Sequence, residues 1–424
     1  MENTLKNTQK NILTKVKPSN EEQRKLTAVT GAFLAKLNPK LKNAKAILGG
    51  SGAKDTWLSG NYDADVFVLF DYDKFKSQSA HLSCILQPAL KKAFPSAKIL
   101  TLHGSRDYFQ IPFQGINFEV IPILKIKKAE QALNITDISP LHSKWVNEQG
   151  RKVKDEIRLA KQFCKANSLY GAESYINGFS GYVLEILVIH YGSFENLLKA
   201  AQKWALKEII DPSRFYTKKT ALFHINQSKL QSPLIIVDPV DKARNAAAAL
   251  SLDKFISFKK TANEYLHNPE AKYFQKEAVT FEKLAEEAKK SNLIFITAKP
   301  KTGKEDVVGT KLFKAFEFIE KKLRPFGIKK SGWEWSGEPI SPAVMYFILA
   351  KRELPKLEIK QGPPLNMKPF VQDFKRKNKD TFEEKGRIFA RVKVKHPVVN
   401  DYLNELLKDS YIKERAGKIT VKVR

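Results

Sequence analysis

The chain has 424 residues, and 42% of them are hydrophobic, which is ordinary for a globular protein and too high for a disordered one. Its net charge of +29 favours a polyanionic partner, with a merely soluble Lys-rich surface as the alternative. No apolar run approaches the ~20 residues of a membrane-spanning helix, and the N-terminal residues have no apolar signal core. The two cysteines, Cys84 and Cys164, offer neither a disulfide framework nor paired-cysteine zinc spacing. We therefore expect a cytoplasmic protein of roughly three domains without a membrane partner.

Helical and strand patterns alternate along the first 150 residues. Residues 1–42 are charged and helical in pattern, with Ser19 as the N-cap of a helix. Residues 43–130 alternate short apolar runs with turns, which predicts a mixed sheet with helices packed on it. The predicted strands are residues 46–48, 66–70, 98–102, 108–112 and 116–124, with a helix at 82–94.

The spacing of the apolar residues changes after residue 150. An amphipathic helix is predicted there because apolar residues recur at intervals of three and four, at Val153, Ile157, Ala160, Phe163 and Cys164. Later elements are predicted as helices at 183–191, directly after 238–241 and at 311–323, and as strands at 293–298 and 344–350. The expected fold class is α+β, with domains at residues 1–150, 151–260 and 261–424.

The sharpest pattern is residues 47–70, ILGGSGAKDTWLSGNYDADVFVLF. It predicts a strand, a glycine turn, a short helix, a second turn and a second strand. Gly49 and Gly50 let the backbone pass close to a ligand. Ser51 then begins a helix whose unpaired N–H groups and positive dipole end face an anion. This turn is therefore expected to receive a triphosphate.

Acidic residues follow on two predicted strands. Asp63 and Asp65 are two residues apart at the start of one strand, so their side chains point to the same face. Such a pair suits Mg²⁺, and two ions about 4 Å apart can activate a hydroxyl group and hold a leaving pyrophosphate. Glu119 supplies a third carboxylate on the strand at 116–124. We expect these three residues to be catalytic and to hold the metal ions.

The order of these motifs is more informative than any one of them. An Asp-x-Asp pair alone is weak evidence, because most such pairs are turn or cap residues. The set Gly-Gly-Ser, Asp-x-Asp and a later acidic strand resembles the signature of DNA polymerase β-like nucleotidyltransferases. Further motifs are similar to those of archaeal-type (class I) CCA-adding enzymes: Gly49–Lys54, Thr56–Leu58, Gly60, Asp63, Asp65, Phe67, Ser139–His142, Trp145, Arg158–Phe163, Tyr170–Glu173, Gly178–Tyr182, Val237–Asp241, Arg244–Ala247 and Gly362–Pro364.

This resemblance implies a fold and an activity. The fold would comprise a polymerase β-like palm domain, a helical neck domain, and an α/β body and tail. The activity would be template-independent addition of C, C and A to the 3′ end of tRNA. CTP and ATP would be the substrates, pyrophosphate the product and Mg²⁺ the cofactor. The family also leads us to expect a homodimer.

The resemblance also implies roles for particular residues. Arg244 would select C or A by offering donors to the base. The triphosphate and sugar would be bound by Gly50, Ser51, Lys54, His142, Lys161 and Tyr170. Simpler interpretations remain open. His142 could be a packed or capping histidine, Lys161 part of a solvated basic stripe, and Arg244 a partner of Asp238 or Asp241.

One position departs from the family pattern. The family usually has Asp where this chain has Glu119, which keeps the charge but is one methylene longer. Two alternatives therefore stay open at this point. One is another template-independent RNA nucleotidyltransferase, of poly(A) or oligoadenylate type. The other is a non-catalytic tRNA-binding protein with a degenerate transferase domain.

The C-terminal part is distinctly basic. Cations and apolar residues alternate there with a period of two, which places the cations on one face of a sheet. We expect a surface for the RNA backbone that includes Lys375, Arg376, Lys377, Arg391, Lys393 and Lys395.

Overall fold

The chain forms two units, one up to residue 277 and one from residue 278, each with its own sheets. The computed structural model describes residues 2–60, 63–217 and 220–424. The elements of the first unit are α1 (Glu2–Val16), α2 (Asn20–Leu37), β1 (Ala44–Leu48), α3 (Gly50–Lys54), β2 (Asp63–Phe70), α4 (Tyr72–Phe75), α5 (Leu82–Ala93), β3 (Leu100–Leu102), β4 (Tyr108–Phe113), β5 (Ile116–Leu124), α6 (Ser139–Gln149), α7 (Lys154–Ala166), α8 (Gly181–Tyr191), α9 (Phe194–Lys203), β6 (Glu208–Ile210), α10 (Ala221–His224), β7 (Leu234–Ile236) and α11 (Leu252–His267). Those of the second unit are α12 (Phe281–Ala288), β8 (Asn292–Ala298), α13 (Glu305–Leu323), β9 (Ile328–Glu334), β10 (Ala343–Leu349), β11 (Leu357–Pro364), α14 (Lys368–Lys377), β12 (Thr381–Glu384), β13 (Arg387–Lys393), α15 (Val399–Leu406), α16 (Ser410–Arg415) and β14 (Ile419–Val423).

A five-stranded mixed sheet in the order β1-β2-β5-β4-β3 forms the first part of unit one. Strands β2 and β5 at its centre are parallel, whereas the other neighbouring pairs are antiparallel. Helix α2 covers this sheet, and the ring of its Phe33 stacks on Phe118 of β5 at 4.1 Å. The predicted Ser19 cap of α2 is confirmed, because its side chain accepts from Glu22 N at 3.1 Å.

Helices form most of the rest of unit one. The buried apolar faces of α7, α8, α9 and α11 share one core, and Leu5 and Ile12 of α1 belong to the same core. Ser180 and Ser193 cap α8 and α9 by accepting hydrogen bonds from backbone N–H groups. Strands β6 and β7 add a short parallel pair that the sequence did not predict.

The prediction of a helix directly after residues 238–241 is wrong. Helix α11 begins only at Leu252, and the intervening residues form turns. Their conformation is held by Asn245, whose side-chain oxygen accepts from Ile236 N and Ala247 N at 2.9 and 3.0 Å. An Asn side chain that bonds the backbone in this way competes with helix formation.

The second unit has two antiparallel sheets, in the orders β14-β8-β10-β9 and β11-β13-β12. Strands β8 and β10 and helix α13 lie where the sequence predicted them, to within a few residues or, for the start of α13, about two turns. The α+β fold class is confirmed. The predicted domain boundaries at residues 150 and 260 stay a prediction. Helix α1 precedes residue 150 but packs in the core formed by α7, α8, α9 and α11.

Candidate active site

The glycine turn lies directly against the first acidic strand. Gly50 has φ +55°, and a Cβ on it would lie 1.6 Å from Oδ2 of Asp65. A Cβ on Gly49 would lie 2.4 Å from the ring of Phe67, and Gly49 N donates to Asp65 O at 2.7 Å. This close packing therefore requires glycine at both positions, because any side chain would displace the turn from β2.

The parallel pairing of β2 and β5 brings two predicted carboxylates together. Asp63 pairs in register with Asn117, and Asp65 pairs with Glu119. Paired residues of neighbouring strands project to the same face of a sheet, with strands about 4.8 Å apart. Glu119 therefore shares the face of the two aspartates despite its extra methylene.

Electrostatics at Asp65 reflect this crowding. Burial raises the pKa of the Asp65 carboxyl above its usual range; Lys54 opposes the shift, and Asp63 adds to it. A bound cation would favour the ionised form of the same group.

The donor set consists of carboxylate oxygens, which fits a magnesium ion. Within the ranges that the structure describes, however, no three His, Cys, Asp or Glu side chains are arranged to hold a metal ion. The metal-binding assignment of Asp63, Asp65 and Glu119 stays a prediction.

Two of the predicted nucleotide-binding lysines meet at a carboxylate that was not predicted. Glu185 of α8 accepts from Lys54 Nζ at 2.6 Å and from Lys161 Nζ at 2.8 Å. Thr56 Oγ1 donates to the same carboxylate at 2.7 Å. Burial by itself would raise the pKa of Glu185, but the two ammonium groups outweigh it and lower that pKa to about 2. The Glu185 carboxylate is therefore held in its charged form, whereas burial lowers the pKa of Lys161 below its ordinary value.

A second buried carboxylate, Asp238, gathers the remaining predicted polar residues. It accepts from Arg244 Nη1 at 2.5 Å and from Tyr182 Oη at 3.0 Å, and His142 Nε2 lies 3.2 Å from it. The rings of His142 and Tyr182 stack at 4.0 Å. Burial by itself would raise the pKa of Asp238, but His142 and Arg244 have the larger opposite effect and lower that pKa to about 2. The interpretation of Arg244 as a partner of Asp238 is therefore confirmed, and this pairing orients its guanidinium group.

Tyr170 lies beside the lysine cluster. A Cβ on Gly181 would lie 2.8 Å from Tyr170 Oη and 3.6 Å from Cε of Lys161, so these three residues are close neighbours. Lys165 Nζ lies 5.1 Å from the centre of the Tyr170 ring. Burial raises the pKa of the Tyr170 hydroxyl, so it remains a neutral hydrogen-bonding group.

The predicted RNA-binding cations lie in the second unit, on α14 and β13 and just beyond. Lys375 pairs with Glu383 at 3.0 Å, and Arg391 pairs with Asp380 at 3.3 Å. Arg376 and Lys377 both pair with Asp373. Exposed pairs of this kind are worth little, so a phosphate group can replace the carboxylate. Lys393 and Lys395 are exposed beside them.

Glu185 was not predicted to lie at the site, although a signal for it was present in the sequence. It is a single carboxylate in the middle of an otherwise apolar helix, where an unpaired charge would be costly. Thr56 was part of a recognised motif, but its hydrogen bonds depend on elements far apart in the chain. In the described part of the chain, no helix combines the length and apolar character needed to cross a membrane.

A glycine turn beside carboxylates on two parallel strands, followed by a helical region, defines a polymerase β-like nucleotidyltransferase. The solved structure of a cytoplasmic RNA terminal U-transferase has the same fold over 66% of this chain and 100% of its own, with a TM-score of 0.50 and 12% identity.

Family models and relatives identify the chain more narrowly. Residues 155–275 match the second domain of tRNA nucleotidyltransferases, and residues 287–418 match the C-terminal domain of CCA-adding enzymes. The CCA-adding enzyme of Methanosarcina acetivorans is 31% identical over 96% of this chain and 91% of its own. That of Methanocaldococcus jannaschii is 29% identical over 98% and 95%, and that of Nanoarchaeum equitans is 34% identical over 81% and 82%. The chain belongs to the CCA-adding enzymes, which are tRNA nucleotidyltransferases.

Proposed function

We propose that this protein adds C, C and A to the 3′ end of tRNA, using CTP and ATP and no template. In each step the 3′-hydroxyl oxygen forms a bond to the α-phosphorus and loses its proton. The bond from that phosphorus to the β-phosphate oxygen breaks, and pyrophosphate leaves. The observation that carries the proposal is the packing of the glycine turn against Asp65, with Glu119 in register on the next strand.

Asp63, Asp65 and Glu119 would hold Mg²⁺, most simply two ions. When bound, these ions would supply a Lewis acid for the 3′-hydroxyl and a counter-charge for the pyrophosphate. The residues themselves contribute a fixed anionic face on two strands of one sheet. Gly50 and Ser51 would receive the triphosphate at the turn, next to that face, and Lys54 follows on the same short helix.

The other residues would bind and select the nucleotide. Tyr170 lies beside Gly181 and would contact the nucleotide, and His142 is held by Asp238. Lys161 lies next to Tyr170 and would act from beneath the site, because it is almost fully buried. Arg244 retains 29% side-chain exposure while Asp238 fixes one of its nitrogens, so the rest of the guanidinium group can reach a base. Donors oriented in this way can distinguish C and A from the other bases by their hydrogen-bonding edges.

The tRNA would be captured by the basic second unit and held by its phosphates. The exposed cations of α14 and β13 suit a backbone contact, because phosphate binding needs no sequence code. A homodimer stays a prediction from the family, and a cytoplasmic location stays a prediction from the sequence. Sedimentation velocity would test the homodimer, and microscopy of a tagged protein would test the location.

The test is to incubate purified protein with Mg²⁺, CTP, ATP and tRNA lacking its 3′ end, and to sequence the extended ends. We expect growth to stop after CCA. A homopolymer of A would instead indicate a poly(A) or oligoadenylate activity. Binding of tRNA without any extension, over a range of Mg²⁺ concentrations, would indicate a non-catalytic protein. Omission of Mg²⁺ is the matched control.

A further inference from the structure

Glu185 lies at the centre of the apolar helix α8 and is fully buried. A carboxylate in such a place is costly unless every oxygen has a partner. Both oxygens of Glu185 have partners: Oε2 accepts from Lys54, while Oε1 accepts from Lys161 and Thr56. The cluster therefore joins three segments: α3 with the turn after it, α7, and α8.

Lys161 has no ammonium hydrogen left for a ligand in this arrangement. Its Nζ donates to Glu185 Oε1 at 2.8 Å, to Thr56 Oγ1 at 2.9 Å and to Thr56 O at 3.1 Å. An ammonium group has three donors, and these three acceptors use them all. With 3% of its surface exposed, Lys161 is part of the floor of the site.

Lys54 has a different environment, because it is influenced by two carboxylates. Its Nζ is 2.6 Å from Glu185 Oε2, and its charge opposes the rise that burial causes in the pKa of Asp65. Its ammonium group has three donors and uses one of them on Glu185, in a nearly buried cluster close to the glycine turn. A phosphate group at that turn can accept a charge-assisted hydrogen bond from Lys54.

We propose that Glu185 is a positioning residue for the nucleotide's triphosphate, acting through Lys54 and Lys161. It holds Lys54 at the end of α3. At the same time it ties the turn that receives the phosphates to α7 and α8. This inference rests on the proposed function and adds a residue that touches neither the substrate nor a metal ion.

The test is the substitution Glu185→Gln, which keeps the shape of the side chain and removes its charge. Both lysines then lose their anionic partner, so Lys54 is no longer held in place at the end of α3. We expect the KM values for CTP and ATP to rise about tenfold, because the charge-assisted hydrogen bonds to the triphosphate would be weakened. The KM for tRNA should stay within about twofold, because these bonds do not hold the tRNA. ATP binding measured calorimetrically without tRNA should weaken to the same extent.

The matched control is Asp137→Asn. Asp137 is also a fully buried carboxylate in the first unit, and it pairs with Arg106 at 2.6 Å near the end of β5. Its loss should lower the Tm while leaving the KM values for both nucleotides unchanged. A role of Glu185 in folding alone predicts the same result for Glu185→Gln, and unchanged nucleotide KM values in that variant would overturn the proposal.

Two further arms keep the outcome decisive. If Glu185→Gln fails to fold, the double variant Glu185→Gln with Lys161→Met removes one charge of each sign, and its nucleotide KM should rise above that of Lys161→Met alone. Glu185→Asp restores the charge with a shorter reach, and we expect an intermediate KM. If the wild-type protein adds no nucleotides, the proposed function fails, whereas ATP binding by the variants still decides the role of Glu185.

Discussion

The environment of Asp65 predicts that a substitution there affects nucleotide transfer but not the binding of tRNA. Asp65 faces Gly50 and pairs with Glu119, whereas the predicted RNA-binding cations belong to another unit of the chain. We expect Asp65→Asn to reduce kcat by about 10³-fold or more, because it removes a charge at the reacting centre. The affinity for tRNA, measured by filter binding, should change by less than about twofold.

The control for this prediction comes directly after the same strand. Asp71 follows β2, lies on the surface and caps α4 by accepting from Lys74 N. Asp71→Asn should leave kcat unchanged. Full activity in Asp65→Asn would show that the carboxylate face is not catalytic.

The low pKa of Asp238 predicts a pH-dependent contribution to stability. Its pKa is about 2 in the folded chain, against an ordinary value of ~3.9 when unfolded. The unfolded chain therefore binds the proton more readily, so the stabilisation is complete above about pH 4 and is lost as the pH falls towards 2. A shift of this size corresponds to roughly 2–3 kcal/mol.

Urea unfolding between pH 6 and pH 2 measures this contribution. Asp238→Asn should be less stable at pH 6, and its free energy of unfolding should depend less on pH than that of the wild type. Asp253→Asn, at an exposed position in the first turn of α11, serves as the comparison. An equal pH dependence in Asp238→Asn and the wild type would contradict the assignment.

At the scale of elements, the close packing of the turn on β2 predicts the effect of a single methyl group. Gly50→Ala places a Cβ where Oδ2 of Asp65 now lies and also strains a backbone with φ +55°. Because a displacement of about 1 Å at a reacting centre can cost 10²-fold, we expect kcat to fall by roughly that factor. Single-turnover kinetics would measure it.

Gly115, in the turn between β4 and β5, is the control that separates the effect of backbone strain from the effect of displacing Asp65. It has φ +76°, and a Cβ there would meet nothing within 4 Å. Gly115→Ala should destabilise the fold by about 1 kcal/mol and leave kcat unchanged. Similar losses of activity in both variants would show that backbone strain alone is responsible.

At the scale of the whole molecule, the net charge of +29 predicts strongly salt-dependent binding. Raising KCl from 50 to 200 mM should weaken tRNA binding by about 10- to 10³-fold, because bound counterions are no longer released as favourably. Replacing Lys375, Arg376 and Lys377 by Ala should weaken binding about tenfold and flatten this dependence. Electrophoretic mobility shifts at several salt concentrations measure both effects.

Two comparisons make the salt prediction specific. Lys91 and Lys92 are exposed on α5, outside the predicted RNA surface, and replacing both by Ala should have little effect. Asp373→Asn should change the affinity for tRNA in the opposite direction. It frees Arg376 and Lys377 from their shared carboxylate and should strengthen tRNA binding.

Local patterns predicted much of this fold, because they depend on residues close in sequence. The strand at 116–124 was predicted at its observed bounds, and the turn in 47–70 was also confirmed. The helix after Asp241 failed because the hydrogen bonds of one Asn side chain outweighed the helical pattern. Local alternation could place the three carboxylates on strands, but not on neighbouring ones.

The cluster around Glu185 shows why the site was only partly predictable. Lys54 and Lys161 entered through the family resemblance, which assigned them to the nucleotide. The structure adds that they share a buried counter-charge supplied by a third segment. No periodicity in the sequence reveals such a meeting, because it depends on how α3, α7 and α8 pack.

The parallel pairing of β2 and β5 also bears on how activity is acquired during folding. Asp65 and Glu119 are about fifty residues apart in the chain and become neighbours only when that ladder closes. Contacts between distant segments form slowly, because the entropy of the intervening loop must be lost first. During refolding from denaturant, helical circular dichroism should therefore recover before the ability to transfer nucleotides returns.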